Sequence, residues 1–340
     1  MPTTLQKFSL ADLDRVYYAE ACEPIVAASN KGTIQIQALA RDYYHGKPIP
    51  DDEIAAVKHV GYWDAKQDQN WGLPWHRNEG IKLAVLESGQ LAYGLNETWH
   101  TMQSSSLVIA RPWQRHRFGN PNITASKLHW LVIDVEGRQP HQAWLWPRWV
   151  VLSKSDLADL TDFLRHNEQP IWPANREIID SFRAIGELVG QDDVEAVYSS
   201  LAIEINRLLL RLLNLFRERA ISLDRELSSV HRSIATFLKQ LKADPVKLRQ
   251  PWTVKLMAKS CGLGETRFGH YCKEIVNMSP SEYLQHCRMQ RAGGLLREEN
   301  TLTIREIAEQ CGFTTARYFA TVFNEHYHCT PQQYREQVAS

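Results

Sequence analysis

The sequence predicts a two-domain protein: a mainly β N-terminal domain, barrel-like with flanking helices, and an all-α C-terminal domain carrying two helix-turn-helix units. Three observations carry this reading. About ninety residues at the C-terminal end contain an internal repeat. Residues from about 72 to 135 alternate apolar and polar with period two between Gly, Pro and Asn turns. Charge and tryptophan are divided unequally between the two parts.

A chain of 340 residues is long enough for two separate cores. Its formal net charge of zero hides an asymmetry: residues 225–340 hold 16 Lys and Arg against 11 Asp and Glu, and the rest holds 23 against 28. A basic C-terminal part suits a polyanionic partner. Of 11 Trp, only Trp252 lies beyond residue 172. No apolar run approaches the roughly 18 residues of a membrane span, and "MPTTLQKFSLADLDRVYY" lacks a charged-then-apolar leader pattern, so a soluble cytoplasmic protein is expected. "LADLDRVYYAEACEPI" reads as a helix and a strand edge. The six cysteines include no CxxC pair and are read as reduced thiols.

The repeat pairs "LMAKSCGLGETRFGHYCKEIVNMSPSEYL" with "EIAEQCGFTTARYFATVFNEHYHCTPQQYR", offset by 50 residues up to the turn and 51 after it. In each unit an Ala (Ala258, Ala308) precedes a Gly (Gly262, Gly312) by four residues, and a Phe (Phe268, Phe319) follows in the second helix. Two helices crossing steeply need a small side chain at their contact, a glycine for a left-handed turn and an apolar plug. Phe268, Tyr271, Cys272 and Ile275 form one apolar stripe, as do Phe319, Val322, Phe323 and His326. The opposite faces carry Thr266, Gly269, His270 and Lys273, and Arg317, Ala320, Thr321 and Asn324. After each unit, Ser279-Pro280-Ser281-Glu282 and Thr330-Pro331-Gln332-Gln333 offer capping boxes with Pro at the first helical position.

The second unit also gathers Cys311, His326, His328 and Cys329, residue types that zinc prefers. The repeat explains them without a metal. Cys311 closes a helix as Cys261 does, and Cys272 holds the place of Phe323, so the thiols act as small hydrophobes. His326 is expected to continue the buried stripe.

On Ala258, Gly262 and Phe268, on "SPSEYLQHCRMQRAGGLL", and on "IREIAEQCGF", Phe319, Phe323 and "TPQQYRE", residues from about 225 to 337 resemble the DNA-binding domain of the AraC/XylS transcription regulators. The resemblance implies double-stranded DNA as partner and helix-turn-helix units over about 254–275 and 304–326. It implies that Thr266, Gly269, His270, Arg317, Ala320 and Thr321 face base edges. Arg317 would take a guanine through its fork and His270 a purine edge. Lys273, Asn324 and Arg288 are assigned to phosphates. Gly293 and Gly294, inside the linking helix, each cost about 1 kcal/mol relative to Ala and predict bending between the units.

In the first half, "GIKLAVLESGQLAYGLNETWHTM" alternates Ile81, Leu83, Val85 and then Leu91, Tyr93, Leu95, with turns at Ser88-Gly89 and Asn96-Glu97. "SSSLVIARP", "HRFGNP" and "SKLHWLVIDV" continue a series of short strands that suggests a barrel or jelly roll. This part resembles a cupin-like sensor domain, which implies an effector-sensing domain over 1–160. His76, Glu79 and His116 invite a metal, but Asn78 stands where a second early His is needed, and no metal or other cofactor is expected. Trp75, Trp99 and Trp113 beside His76, Arg77, Glu79, Arg111 and His116 suit a small polar effector such as a monosaccharide. Arg77 and Arg111 suit a carboxylate equally well.

"SSLAIEINRLLLRLLNLFRERA" carries a broad apolar face, and residues 161–224 are expected to link the domains and to form a homodimer. The mechanism expected is effector-shifted DNA binding, with no catalytic residue and with activation or repression left open. One rival is a metal-dependent cupin enzyme with an appended helical domain. The other is an architectural DNA-binding protein that senses nothing.

Overall fold

The computed structural model describes residues 23–41, 44–137, 139–191, 193, 195–219, 221–298 and 301–339. Most of the helix expected over "LADLDRVYYAEACEPI", with Cys22, lies outside them. The chain divides into two compact units, Met1–Leu227 and Ser228–Ser340.

In the first unit α1 (Glu23–Asn30) precedes eight strands: β1 (Gln35–Ala40), β2 (Lys47–Pro48), β3 (Val57–Ala65), β4 (Ile81–Leu95), β5 (Thr98–Gln103), β6 (Ser106–Ala110), β7 (His116–Phe118) and β8 (Ser126–Ile133). Then come α2 (Lys154–Arg165), β9 (Trp172–Pro173), α3 (Arg176–Val189) and α4 (Tyr198–Glu218). The strands form one sheet in the order β2-β1-β3-β8-β4-β6-β9, with β5 and β7 paired to β4 off this path. Among the described residues no pairing joins β2 to β9. The sheet is open, and the expectation of a closed cupin-like barrel is corrected.

The reason lies in the second face of each strand. Ile81 to Leu86 are all buried, so β4 feeds two cores. Ile81, Leu83 and Val85 pack with Leu131 and Ile133 against Phe182 and Ile185 of α3 and Leu208 and Leu212 of α4. Ala84 and Leu86 pack on the other side with Trp63, Leu128 and Trp130. A sheet apolar on both faces is covered by another layer on one of them and need not close on itself. The period-two reading registered the first face and missed the second.

The second face is covered by the sheet's own arm. Register slips between Leu86 and Ser88, and Gly89 sits at φ 90°, where a Cβ would lie 2.3 Å from the Ala125 carbonyl oxygen. Beyond this break Gln90 to Leu95 pair with β5, and Tyr93 to Leu95 pair with β7. Leu91, Tyr93, Leu95 and Phe118 thereby join the core of Trp63 and Trp130. On the helical side Leu201, Ile205, Leu208, Leu209, Leu212 and Phe216 of α4 are all buried in the first core, so most of its apolar face is covered within the chain.

Helix α3 is tied to the sheet by charge. Glu87 accepts from His129 Nε2 at 2.6 Å and from Arg183 Nε at 2.8 Å, and Lys127 Nζ lies at 2.9 Å. Burial alone raises this carboxyl, but hydrogen bonds from His129, Lys127 and Arg183 outweigh it and bring it from 4.5 to about 2. A carboxylate held down in the fold contributes stability above its unfolded value and loses it as pH falls through the folded one. The unit should therefore lose stability between about pH 4.5 and 2, and Glu87→Gln should flatten that loss. Acid titration followed by tryptophan fluorescence reads this unit, because only Trp252 lies in the other.

The second unit is helical: α5 (Val230–Ala243), α6 (Pro245–Arg249), α7 (Val254–Ser260), α8 (Glu265–Val276), α9 (Pro280–Glu298), α10 (Ile304–Gln310), α11 (Ala316–Tyr327) and α12 (Pro331–Ala339). Two cores reproduce the repeat. One gathers Met257, Ala258, Phe268 and Cys272 with Tyr283, Leu284 and Cys287 from the start of α9. The other gathers Ile307, Ala308, Phe319 and Phe323 with Met289, Ala292, Leu295 and Leu296 from its end. Gly262 and Gly312 take the left-handed turn at φ 69° and 79°. Glu282 accepts from the Ser279 N–H, and Gln333 from the Thr330 N–H, while Ser279 and Thr330 accept in return. Thr303 and Glu306 add a third capping box on α10. α9 runs unbroken through Gly293 and Gly294.

Candidate nucleic-acid interface and inner sheet face

In both units of the repeat the buried stripe faces inward. Phe268 and Cys272 of α8 and Phe319, Val322 and Phe323 of α11 are buried, which leaves the outer faces to polar side chains. α8 exposes Thr266, Arg267, His270, Lys273 and Glu274, with Gly269 partly covered. α11 exposes Arg317, Tyr318, Thr321 and Asn324, with Ala320 partly covered. The Thr321 hydroxyl donates back to the Arg317 carbonyl at 3.2 Å, which leaves it able to accept.

Two residues on these faces escaped sequence reasoning. Arg267 lies over the Tyr271 ring at 5.8 Å, and Tyr318 is 58 % exposed beside Phe313. Both adjoin a phenylalanine plug, and Tyr318 reads as core until its place one residue before Phe319 is counted around the helix. Lys273, Thr321 and Asn324 stand where the pattern put them.

Arg288, assigned by the resemblance to a phosphate, is only partly exposed. Its guanidinium donates to the Leu248 and Gln250 carbonyls, the latter at 2.8 Å, and lies over the Phe313 ring. These bonds satisfy the last carbonyls of α6 and hold it against α9. His326 is exposed rather than part of the buried stripe, with its ring 5.7 Å from that of His286. His328 has φ 58° and caps α11 as Asn277, at φ 55°, caps α8. The zinc-like run thus ends in a left-handed helix cap.

The candidate effector residues separate into three places. His76 and His116 pair backbones through N–H···O bonds of 3.0 and 2.9 Å, with ring centroids 4.4 Å apart. Asn78 Nδ2 donates to His116 Nε2 at 3.0 Å, and Asn78 Oδ1 accepts from Tyr44 at 3.2 Å. Trp75 and Trp99 form a separate pair, 5.4 Å between centroids, with Arg115 over one ring and Arg117 over the other. Trp113 packs on Trp144 in the helix-side core. Arg111 is anchored by Nε to the Leu164 carbonyl at 2.7 Å and by Nη1 to Gln114. Arg77 is buried, and Glu79 is paired with Lys58 at 3.0 Å. Among the described residues no three His, Cys, Asp or Glu side chains are grouped to hold a metal.

Sequence reasoning missed the polar residues that join His76 and His116. His59, Val132, Lys82 and Ala110 are register partners across β3, β8, β4 and β6, one row on one face. His59 and Lys82 are buried, and the Lys82 ammonium lies 4.9 Å from the centroid of Phe118. Burial foremost, and then the Lys82 charge, bring both His59 and His76 to about 3. Burial, His76 and Lys82 hold His116 well below the usual range. All three imidazoles are neutral at physiological pH. The one available signal was a lysine inside the apolar run "IKLAVL", which alternation assigns to solvent.

With these surfaces in place, the comparisons with known proteins decide between the rival readings. A family model described as a helix-turn-helix domain matches residues 257–337. The transcriptional activator RhaR of Mannheimia succiniciproducens is 21% identical over 263 residues, which span 77% of this chain and 87% of that protein. The chain is an effector-responsive, DNA-binding transcription regulator. The metal-dependent alternative has no ligand cluster behind it among the described residues. The transcriptional regulator AlkR of Acinetobacter baylyi is 31% identical over 108 residues, 32% of this chain and only 34% of that regulator. A solved transcriptional dual regulator from Escherichia coli K-12 is 27% identical over 32% of this chain and 92% of its own, with a TM-score of 0.28. No helix among the described residues is long and apolar enough to cross a membrane.

Proposed function

We propose that the regulator reads DNA through α8 and α11 and that the first unit carries the effector site. The observation behind this is the duplicated unit itself, with two exposed second helices held at opposite ends of one linking helix. At 1.5 Å per residue the 19 residues of α9 span about 28 Å, close to the roughly 34 Å between successive major grooves on one face of a duplex. Thr266, His270, Arg317, Tyr318 and Thr321 are assigned to base edges, with Gly269 and Ala320 allowing close approach. Lys273, Asn324 and Arg267 are assigned to phosphates.

Residues 1–160 and 161–224 act together as the sensing part, since α3 and α4 share the core of the sheet. A homodimer in the cytoplasm is the working form we assign. A monosaccharide would have to use Trp75 and Trp99 at the surface, because Trp113 belongs to the helix-side core.

The test is selection of duplex sequences by the full chain, followed by affinity measurements on the selected duplex as salt is varied. Binding should weaken linearly in log–log form as salt rises, with each neutralised phosphate contributing about 0.9 to the slope. Failure to bind any duplex at low salt would sink the reading.

A further inference from the structure

The helices α8 and α11 belong to different cores, and one side chain joins those cores away from the axis of the linking helix. α9 gives its first half, to Cys287, to the core of Phe268, and its second half, from Met289, to the core of Phe319. Arg288 falls between the two. Toward the first core its Nε and Nη2 donate to the Leu248 carbonyl at 3.4 and 3.5 Å, and Nη2 donates to the Gln250 carbonyl at 2.8 Å. The Leu248 side chain is itself buried in that core with Met257 and Phe268. Toward the second core the guanidinium lies 5.6 Å from the centroid of Phe313, whose ring packs on Phe319 at 5.3 Å and on Tyr318 at 5.9 Å.

The same seam closes at the turn of the second unit. A Cβ at Gly312 would lie 2.8 Å from both the Arg249 carbonyl oxygen and Arg288 Nη2, so this turn sits directly on the end of α6. A planar guanidinium suits the place, because its edge supplies donors to carbonyls that a helix end leaves unmatched while its face lies on an aromatic ring. α9 by itself is a single connection between two bodies. It fixes their separation, but helices bend, and the bodies can rock about it. A second connection off the axis removes that freedom.

We propose that Arg288 is a positioning residue for DNA reading: it locks the unit of α11 against the unit of α8 and so sets the spacing of base pairs that the two helices accept. This rests on the proposed reading of DNA through both helices. In this role the donors of Arg288 serve protein carbonyls and not a phosphate. Its effect reaches the duplex through Phe313 and the first turn of α11, where Arg317 and Tyr318 stand. Each base pair inserted between two subsites moves the second by about 3.4 Å along the duplex and roughly a tenth of a turn around it, so a rigid pair of helices loses the contacts of one.

Affinities of the full chain for the selected duplex, and for versions with one or two base pairs inserted or removed between its two blocks of preferred bases, test this. The parent should lose about tenfold or more on respacing, the scale of lost base contacts. Arg288→Met keeps the apolar stem and loses the fork, Arg288→Lys keeps the charge and loses the fork, and Phe313→Leu loses the ring under the guanidinium. Each should bind the selected duplex more weakly at the parent's salt slope. In each the respacing penalty should shrink by about threefold or more, the scale on which a link between two sites changes their coupling. A lowered urea midpoint with the ratio between spacings unchanged would be a structural role alone and overturns the proposal. A salt slope lowered by about 1 in Arg288→Met and restored in Arg288→Lys, with spacing preference unchanged, makes the residue a phosphate contact and overturns it too. Phe313→Leu reads the same link without touching the charge, so the outcome does not hang on the folding of one variant. A parent indifferent to spacing removes the two-helix reading and this proposal with it, whereas a preference that survives in the variants removes the proposal alone.

Discussion

Gly293→Ala is expected to destabilise the C-terminal unit by about 1–3 kcal/mol, the usual cost of overpacking, while Gly294→Ala stabilises it by up to about 1 kcal/mol. The two residues are neighbours in one helix and pay the same backbone entropy. They differ in what lies outside. A Cβ at Gly293 would stand 2.5 Å from Tyr327 Oη and 3.1 Å from its ring, and one at Gly294 would meet nothing within 4 Å. Tyr327 cannot simply move away. Its hydroxyl donates to the Met289 carbonyl at 3.2 Å, and its ring packs on Phe323 at 4.6 Å and Tyr334 at 4.8 Å. Displacing it disturbs the junction of α9, α11 and α12, whereas the methyl at 294 only lowers the entropy of the unfolded chain. Urea midpoints at unchanged m separate the outcomes, and equal shifts of one sign for both variants would refute the contact.

This pair also shows where the sequence was legible. Two glycines inside a helix read as a weak point, because local propensity is all that a linear pattern offers at that position. The reason for Gly293 is a tyrosine 34 residues further on, and no periodicity within α9 points to it. The repeat was legible for the opposite reason. Ala258, Gly262 and Phe268 recur as Ala308, Gly312 and Phe319, and each constraint acts within about ten residues. Arg288 marks the boundary between these cases: its charge suggested the surface, but its partners, the carbonyls of Leu248 and Gln250, come from another helix. In the sheet the alternating strands were found, and their closure was mistaken. Alternation says which residues share a face, and it is silent on whether the other face meets water, a helix or the sheet itself. Lys82 was passed over on the same ground, since a lysine in an alternating strand is ordinarily solvated.

Arg317→Ala is expected to cost about 1–3 kcal/mol on the selected duplex and to relax preference at one base pair, while Lys273→Ala weakens all duplexes alike and lowers the salt slope by about 1. The contrast follows from geometry. Arg317 lies in the first turn of α11, exposed, on the face opposite Phe319 and Phe323, and under the proposed reading its fork of donors would take a guanine edge. Lys273 lies in the last turn of α8, the end that under the proposed reading would pass the backbone rather than the base edges. Arg317→Lys sharpens the test, because it keeps the charge and loses the fork. It should recover the salt slope of the parent but not its base preference. Were Arg317→Lys to restore both, the residue would be acting through charge alone, and Tyr318, exposed beside it, would become the first candidate for reading that base pair.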